Sequence, residues 1–321
     1  MLWENYLPIR NDLIVRKVNI QGILEALEPI HIGSGNSLYT NYLEVIKGSD
    51  GKPFIPGTSL KGVLRSIVEI EYSKLGAPVC PGTEINLKNF IKDAELINEA
   101  KLRYKNYFDK KNFKVRTCGE SIDKETIQML SSPNQNDVLK ALNRLNHKLC
   151  EACKIFGTAG LLGSATVFDA PPIQYRLGTR PSLNVKDKKL FNIEYVEDGS
   201  TFKFLISLRN PANYMVGAII LALKDLKEGK YKIGGLKSRG FGLITLKEMS
   251  MEIKSYSELG FRKKEGLIYL LPLDPKDVEV ELESTIITDP DFFKKTEQFV
   301  LALKTAFSGG VESGKREVLP A

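Results

Sequence analysis

The residues best suited to hold a metal ion are four cysteines and two histidines. His147, Cys150 and Cys153 follow one another at three-residue spacing. Cys118 stands before Gly119, and Cys80 before Pro81 and Gly82, so both lie beside turn residues, as ligand-bearing knuckles often do. A structural zinc site takes four Cys or His ligands in a tetrahedron. His147, Cys150, Cys153 and one further cysteine satisfy that count. Cys118 is the expected fourth ligand because it is nearer in sequence, with Cys80 as the alternative. The competing reading is a reduced cysteine pair packed in a core. A redox CxxC lacks a thioredoxin-like setting here.

A second chemistry is suggested by Gly234-Gly235-Leu236-Lys237-Ser238-Arg239-Gly240-Phe241-Gly242. Glycine admits positive φ and close approach of a ligand to the main chain. Lysine and arginine beside such a turn favour an anion, and successive N–H groups can form an anion-binding concavity. The order of a P-loop is absent, and so is GxGxxG. The bland alternative is a glycine-rich connection with solvated cations. Near the N-terminus, Phe54-Ile55-Pro56-Gly57-Thr58-Ser59-Leu60-Lys61-Gly62-Val63-Leu64-Arg65 opens a helix. Thr58 or Ser59 is the expected N-cap, and Leu60, Val63, Leu64, Ile67 and Val68 form one apolar face. Lys61 and Arg65 are four apart and share a face. A capped helix start with such a pair suits phosphate. Against it stands the plain reading of a solvated helix face.

Carboxylates and histidine complete the inventory. Asp50 precedes Gly51 in a turn signal and reads first as a turn residue. His31, in His31-Ile32-Gly33-Ser34-Gly35, is either a general acid–base group or, more simply, the fixing residue of that turn.

The 321 residues are 42% hydrophobic and 26% charged, as in a soluble globular protein with a sizeable core. Net charge is +7 and the isoelectric point about 9.0, which favours a polyanionic partner. No apolar stretch reaches the length of a membrane span, and with Glu4 and Asp12 near the start the opening residues are not expected to act as a signal peptide. Cysteines without a secretory signal point to a reducing cytoplasm.

The chemistry-bearing residues need elements to position them. Alternation over residues 18–27 predicts a first strand, and residues 42–46 a short one before the turn at 49–52. Strands are also expected at 164–169, 201–208 and 241–246, and a helix at about 214–227. Residues of about 77–155 read as a polar insertion with helical periods at 90–103 and 123–147. Residues 170–190, rich in Pro, Arg and Lys, read as an exposed loop or hairpin. A helix at 290–306 is expected in a C-terminal extension over 251–321. The order β-α-(insertion)-β-β-α-β is that of an α+β, ferredoxin-like core over residues 1–250.

Four motifs in this order carry a family resemblance: His31-Ile32-Gly33-Ser34-Gly35, Ile55 to Gly62, Cys153-Lys154-Ile155-Phe156-Gly157 and the Gly234–Gly242 loop. Together they resemble the RAMP superfamily of CRISPR-associated proteins, most nearly the backbone subunit of type III effector complexes, over about residues 18–250. The resemblance implies an RRM-related core whose copies stack along a guide RNA, with a thumb-like hairpin at about 170–200 that interrupts guide–target pairing. It implies RNA contacts from Ser59, Lys61, Arg65, Thr179, Arg180, Gly234, Gly235, Lys237, Ser238, Arg239 and Gly240. Partners would be guide RNA, target RNA, other subunits of the complex and further copies of the chain. Some relatives carry zinc in the region of the insertion. The family's slicing aspartate falls on Asn41, so cleavage and its divalent metal are in doubt unless Asp50 or Glu44 substitutes. Two other roles stay open: an endoribonuclease that processes CRISPR transcripts, and a subunit capping the filament.

Overall fold

In this computed structural model the described residues are 8–9, 13–35, 42–90, 93–104, 106–184 and 189–308. The chain enters a long strand β1 (Arg16–Ala26), touches a short β2 (Tyr42–Leu43), and runs into helix α1 (Gly57–Lys74). On α1, Leu60, Leu64, Ile67, Val68 and Tyr72 are buried, as the expected apolar face requires. The helix begins two to three residues earlier than the expected caps Thr58 or Ser59 would give. Pro56 occupies the N-cap position, and Thr58 and Ser59 lie inside the first turn. The Gly57 N–H donates instead to Asp169 Oδ1 at 2.7 Å.

The insertion follows. It holds short strands β3 (Ile85–Asn86), β4 (Phe108–Asp109) and β5 (Lys114–Val115), and helices α2 (Ala94–Arg103), α3 (Lys124–Leu130), α4 (Gln135–Lys148) and α5 (Glu151–Phe156). Asp93, Asp123 and Asn134 cap α2, α3 and α4 by accepting backbone N–H bonds.

The chain then returns to the main sheet through β6 (Ala165–Val167) and β7 (Pro172–Gln174). Next come the hairpin β8 (Leu177–Asn184) and β9 (Lys189–Val196), β10 (Thr201–Arg209), helix α6 (Asn213–Lys227) and β11 (Ile244–Ser255). The sheet order is β15-β11-β1-β10-β6, where β15 (Ile286–Thr288) comes from the C-terminal residues, with β7 also paired to β10. All its pairings are antiparallel, and β1 in the centre is bonded on both sides. Val18, Ile20 and Leu24 on β1 are fully buried, as are Ile206 and Leu208 on β10. This is a mixed α+β fold. Among the described residues no helix is long and apolar enough to cross a membrane.

The C-terminal residues add β12 (Phe261–Lys264), β13 (Leu267–Leu270) and β14 (Val280–Leu282) as a small antiparallel sheet. Then come β15 (Ile286–Thr288) on the edge of the main sheet and helices α7 (Phe292–Lys295) and α8 (Glu297–Phe307). The expected boundary at residue 250 falls inside β11. Phe299, Leu303 and Phe307 of α8 lie in the main core, each burial stabilising by about 1.5–3 kcal/mol. A buried charge network reinforces this seam: the Tyr214 hydroxyl and Lys276 Nζ each donate to Glu151 at 2.8 Å, and Lys154 lies between Glu151 and Asp274. Burial pushes the Glu151 carboxyl up, but Lys154, Lys276 and Tyr214 outweigh it and hold it below its ordinary value.

Candidate nucleic-acid interface and four-cysteine centre

The glycine loop is built by positive backbone angles at Gly234 (φ 74°), Leu236 (φ 58°), Gly240 (φ 78°) and Gly242 (φ 93°). The Gly235 N–H donates to the His31 carbonyl at 2.8 Å and the Gly242 N–H to Pro29 at 2.9 Å. The loop therefore lies flat on the His31 turn. A Cβ on Gly234 would stand 2.6 Å from the His31 oxygen, so both conformation and space demand glycine there. A 3₁₀ turn over Lys237–Arg239 then lifts Lys237, Ser238 and Arg239 into exposed positions.

Between this loop and α1 lies a cavity of about 580 Å³. Its walls include Thr58, Ser59 and Ser66 from α1, Gly33 from the His31 turn, and Gly234, Gly235 and Lys237 from the loop. Two separate sequence signals thus meet in one place. Lys230 and Lys232 also line it, but Asp225 and Glu228 hold the first, and Glu28 the second. Lys237 has no carboxylate partner among the described residues. Since Asp169 occupies the first N–H of α1, the polar groups offered to an anion are hydroxyls and a lysine, not the bare helix end.

The hairpin β8–β9 is anchored beside the loop. Arg180 lies over the rings of Tyr195 and Phe241, 5.5 and 5.2 Å from their centroids, a stacking arrangement that keeps its guanidinium exposed. Thr179 is exposed and paired with Glu194. Arg239 Nη1 donates to Ser182 Oγ at 3.2 Å, joining the loop to β8. His31 is 7% exposed, with Nδ1 2.7 Å from the Glu194 carbonyl. Glu194 in turn accepts from Val45 N–H and Lys47 Nζ. His31 is thus a fixing residue of the turn.

Lys61 and Arg65 do not join this cavity. Lys61 lines a separate groove of about 280 Å³ with Thr58, Ser164 and Arg209. Arg65 turns inward, to the cysteines. Asp50 is an exposed turn residue: its Oδ1 accepts the Lys52 N–H at 3.1 Å and its carboxylate pairs with Lys52 Nζ at 3.5 Å. Glu44 contributes its carbonyl to Ser34 N–H. Asn41 lies outside the described residues.

The sulfur atoms of Cys80, Cys118, Cys150 and Cys153 all lie within 4.8 Å of one another, and all four residues are buried. Cys80 to Cys153 is 3.3 Å and Cys150 to Cys80 is 3.7 Å. A tetrahedron with metal–sulfur bonds of about 2.3 Å has edges of about 3.8 Å, so four thiolates so arranged fit a zinc-type ion. The expected set is corrected at one position. Both spare cysteines take part, and His147 stands exposed on the last turn of α4, outside the group. The knuckle at Cys80-Pro81-Gly82 carried the signal for the missing ligand. The surrounding thiols and then the Arg65 charge hold Cys153 below its ordinary value, while hydrogen bonds to Cys118, Cys150 and Cys153 push Cys80 up. The ligands come from the start, middle and end of the insertion, so a bound ion would close it upon α1.

Comparison with known proteins gives three findings. No curated protein matches this chain. A chain of the solved structure titled "Crystal structure of Csm3-Csm4 subcomplex in the type III-A CRISPR-Cas interference complex" is similar at 19% identity, over 76% of this chain and 82% of that one, with a TM-score of 0.39. The family model described as the RAMP superfamily matches residues 23–245, a span holding the His31 turn, α1, all four cysteines and the glycine loop. That span is well over half of the 321 residues, and this protein belongs to the RAMP superfamily.

Proposed function

We propose that this protein is a guide-RNA-binding subunit of a type III CRISPR effector complex, gripping RNA phosphates without reading bases. The observation that carries the reading is the cavity that brings Ser59 and Thr58 of α1 against Gly234, Gly235 and Lys237 of the loop. Hydroxyls, a lysine with no carboxylate partner among the described residues, and a close-approach backbone suit a phosphate and carry no base information. A subunit that must accept any guide needs that indifference. The net charge of +7 supports the same partner class. The core is read as ferredoxin-like because its elements β11-β1-β10-β6 stand in the spatial order fourth, first, third, second of a βαββαβ unit. The hairpin β8–β9 is read as the thumb that meets target RNA, with further copies and other subunits of the complex as neighbours.

Cutting by this subunit is not part of the reading. His31 is committed to Glu194 and Asp50 to its own turn, so neither supports an acid–base role. The test is binding and cutting of unrelated single-stranded RNAs beside CRISPR repeat RNA. Similar affinity for all, with no cutting, is the expected result. Cleavage confined to repeat RNA would overturn it.

A further inference from the structure

Arg65 sits where two knuckles of the insertion close on α1. Its Nη2 donates to Cys153 Sγ at 3.2 Å and lies 3.9 Å from Cys80 Sγ. Its Nη1 donates to the Gly157 carbonyl at 2.9 Å, and its Nε to Glu69 Oε1 at 2.7 Å. The side chain is 17% exposed. Gly82 crosses so near that a Cβ there would lie 3.0 Å from Nε. Each of the three guanidinium nitrogens thus has a partner, a thiol, a carbonyl or a carboxylate, and the side chain faces the cysteines and not the cavity of the glycine loop.

We propose that Arg65 is a positioning residue of the four-cysteine centre, fixing Cys153 and offsetting the charge that four thiolates leave around a bound divalent ion. The proposal rests on the fit of the cysteines to such an ion. Four thiolates and a divalent cation sum to a net charge of −2 in a buried place, where an uncompensated charge is costly. A guanidinium hydrogen-bonded to a ligand sulfur lowers that cost and holds the ligand's rotamer. Groups placed this way around a metal change its affinity by about 10- to 100-fold when removed. Glu69 holds Arg65 from the far side and turns the fork towards the sulfurs. Lysine keeps the charge but not the fork, so it replaces arginine only in part.

The experiment uses the full chain, purified without a metal-affinity tag. Zinc content is measured first, then zinc affinity by chelator competition, and then the thiolate-to-metal charge-transfer band after cobalt(II) substitution. Expected for wild type is about one zinc per chain. Arg65→Ala should bind zinc about 10- to 100-fold more weakly and shift the cobalt band, and Arg65→Lys should recover part of both. RNA affinity and its salt slope in zinc-loaded Arg65→Ala should match wild type. Should Arg65→Ala fail to fold, Arg65→Lys and Glu69→Gln decide, each expected to weaken zinc binding and shift the band by smaller amounts. Unchanged zinc affinity and an unchanged cobalt spectrum across these variants would overturn the proposal while leaving the cluster reading intact. A fall in RNA affinity at unchanged metal binding would also overturn it. A stable, metal-free wild type would remove the cluster reading as well.

Discussion

Lys61 and Arg65 stand one turn apart on one face of α1, yet they meet different surroundings. Lys61 lines an open groove with Thr58, Ser164 and Arg209. Arg65 is folded under the insertion, bonded to Cys153, Gly157 and Glu69. Burial and the nearby Arg65 charge lower the Lys61 pKa. Burial also works against the Arg65 charge, but Cys153 and Glu69 outweigh it and hold the guanidinium above its ordinary value. Helical spacing fixes which residues share a face. It does not say what covers the face, and the insertion covers only its distal part. The first turns of α1 stay open to a ligand, and the next is closed by cysteines.

The closed side of α1 is the more sensitive to substitution. If the centre holds zinc, Cys153→Ser or Cys118→Ser would remove one of its four ligands and should cost on the order of 4 kcal/mol or more, because structural zinc binding is coupled to folding. Metal analysis and the melting temperature report the effect. A chelator should lower the wild-type melting temperature and leave that of Cys153→Ser nearly unmoved. His147→Ala, by contrast, should keep the full metal content, since His147 is exposed and outside the cluster. Loss of metal in His147→Ala would reinstate it as a ligand.

The open side breaks at Gly234. Alanine there must hold φ near 74° with its Cβ 2.6 Å from the His31 carbonyl. The cost should be about 1–3 kcal/mol, and RNA affinity should fall as the loop lifts from the His31 turn. Denaturant unfolding and RNA titration at one salt concentration measure the two effects. Metal content should not change. An RNA affinity equal to wild type would detach the glycine loop from the interface.

Much of this arrangement was legible in the sequence. The long periodic elements β1, α1, β10 and α6 appear close to where alternation and helical spacing put them, whereas β11 starts three residues later than expected and runs nine residues further. The glycine loop was recognisable because four glycines and two cations are a dense local signal. What escaped was carried by no local period. Strands β3, β4 and β5 have two residues each, and β12 to β15 were hidden in an extension for which only a helix was expected. Cys80 was undervalued as a ligand because nearness in sequence was used as a proxy for nearness in space. It lies 73 residues from Cys153 and 3.3 Å from it. Arg65 was assigned to RNA for a related reason. Its charge and spacing match a phosphate contact, and only the fold shows that a buried sulfur and a carbonyl take its fork.

The finest discrimination lies among the cations that line the cavity and the neighbouring groove. Lys237 lines the proposed phosphate cavity without a carboxylate partner among the described residues, whereas Lys61 faces the neighbouring groove. If RNA follows the cavity, Lys237→Ala should weaken binding equally for unrelated single-stranded sequences and reduce the slope of log K against log salt by about 0.7, the contribution of one single-strand phosphate. Lys61→Ala should do the same only if the strand continues into the groove beside α1. Lys232→Ala should move the slope least, because Glu28 already neutralises that ammonium. A larger slope change in Lys232→Ala than in Lys237→Ala would mean that RNA displaces Glu28 and enters the cavity from the side of β11. The path of the strand over the open half of α1 can thus be ordered residue by residue from the salt slopes of three variants.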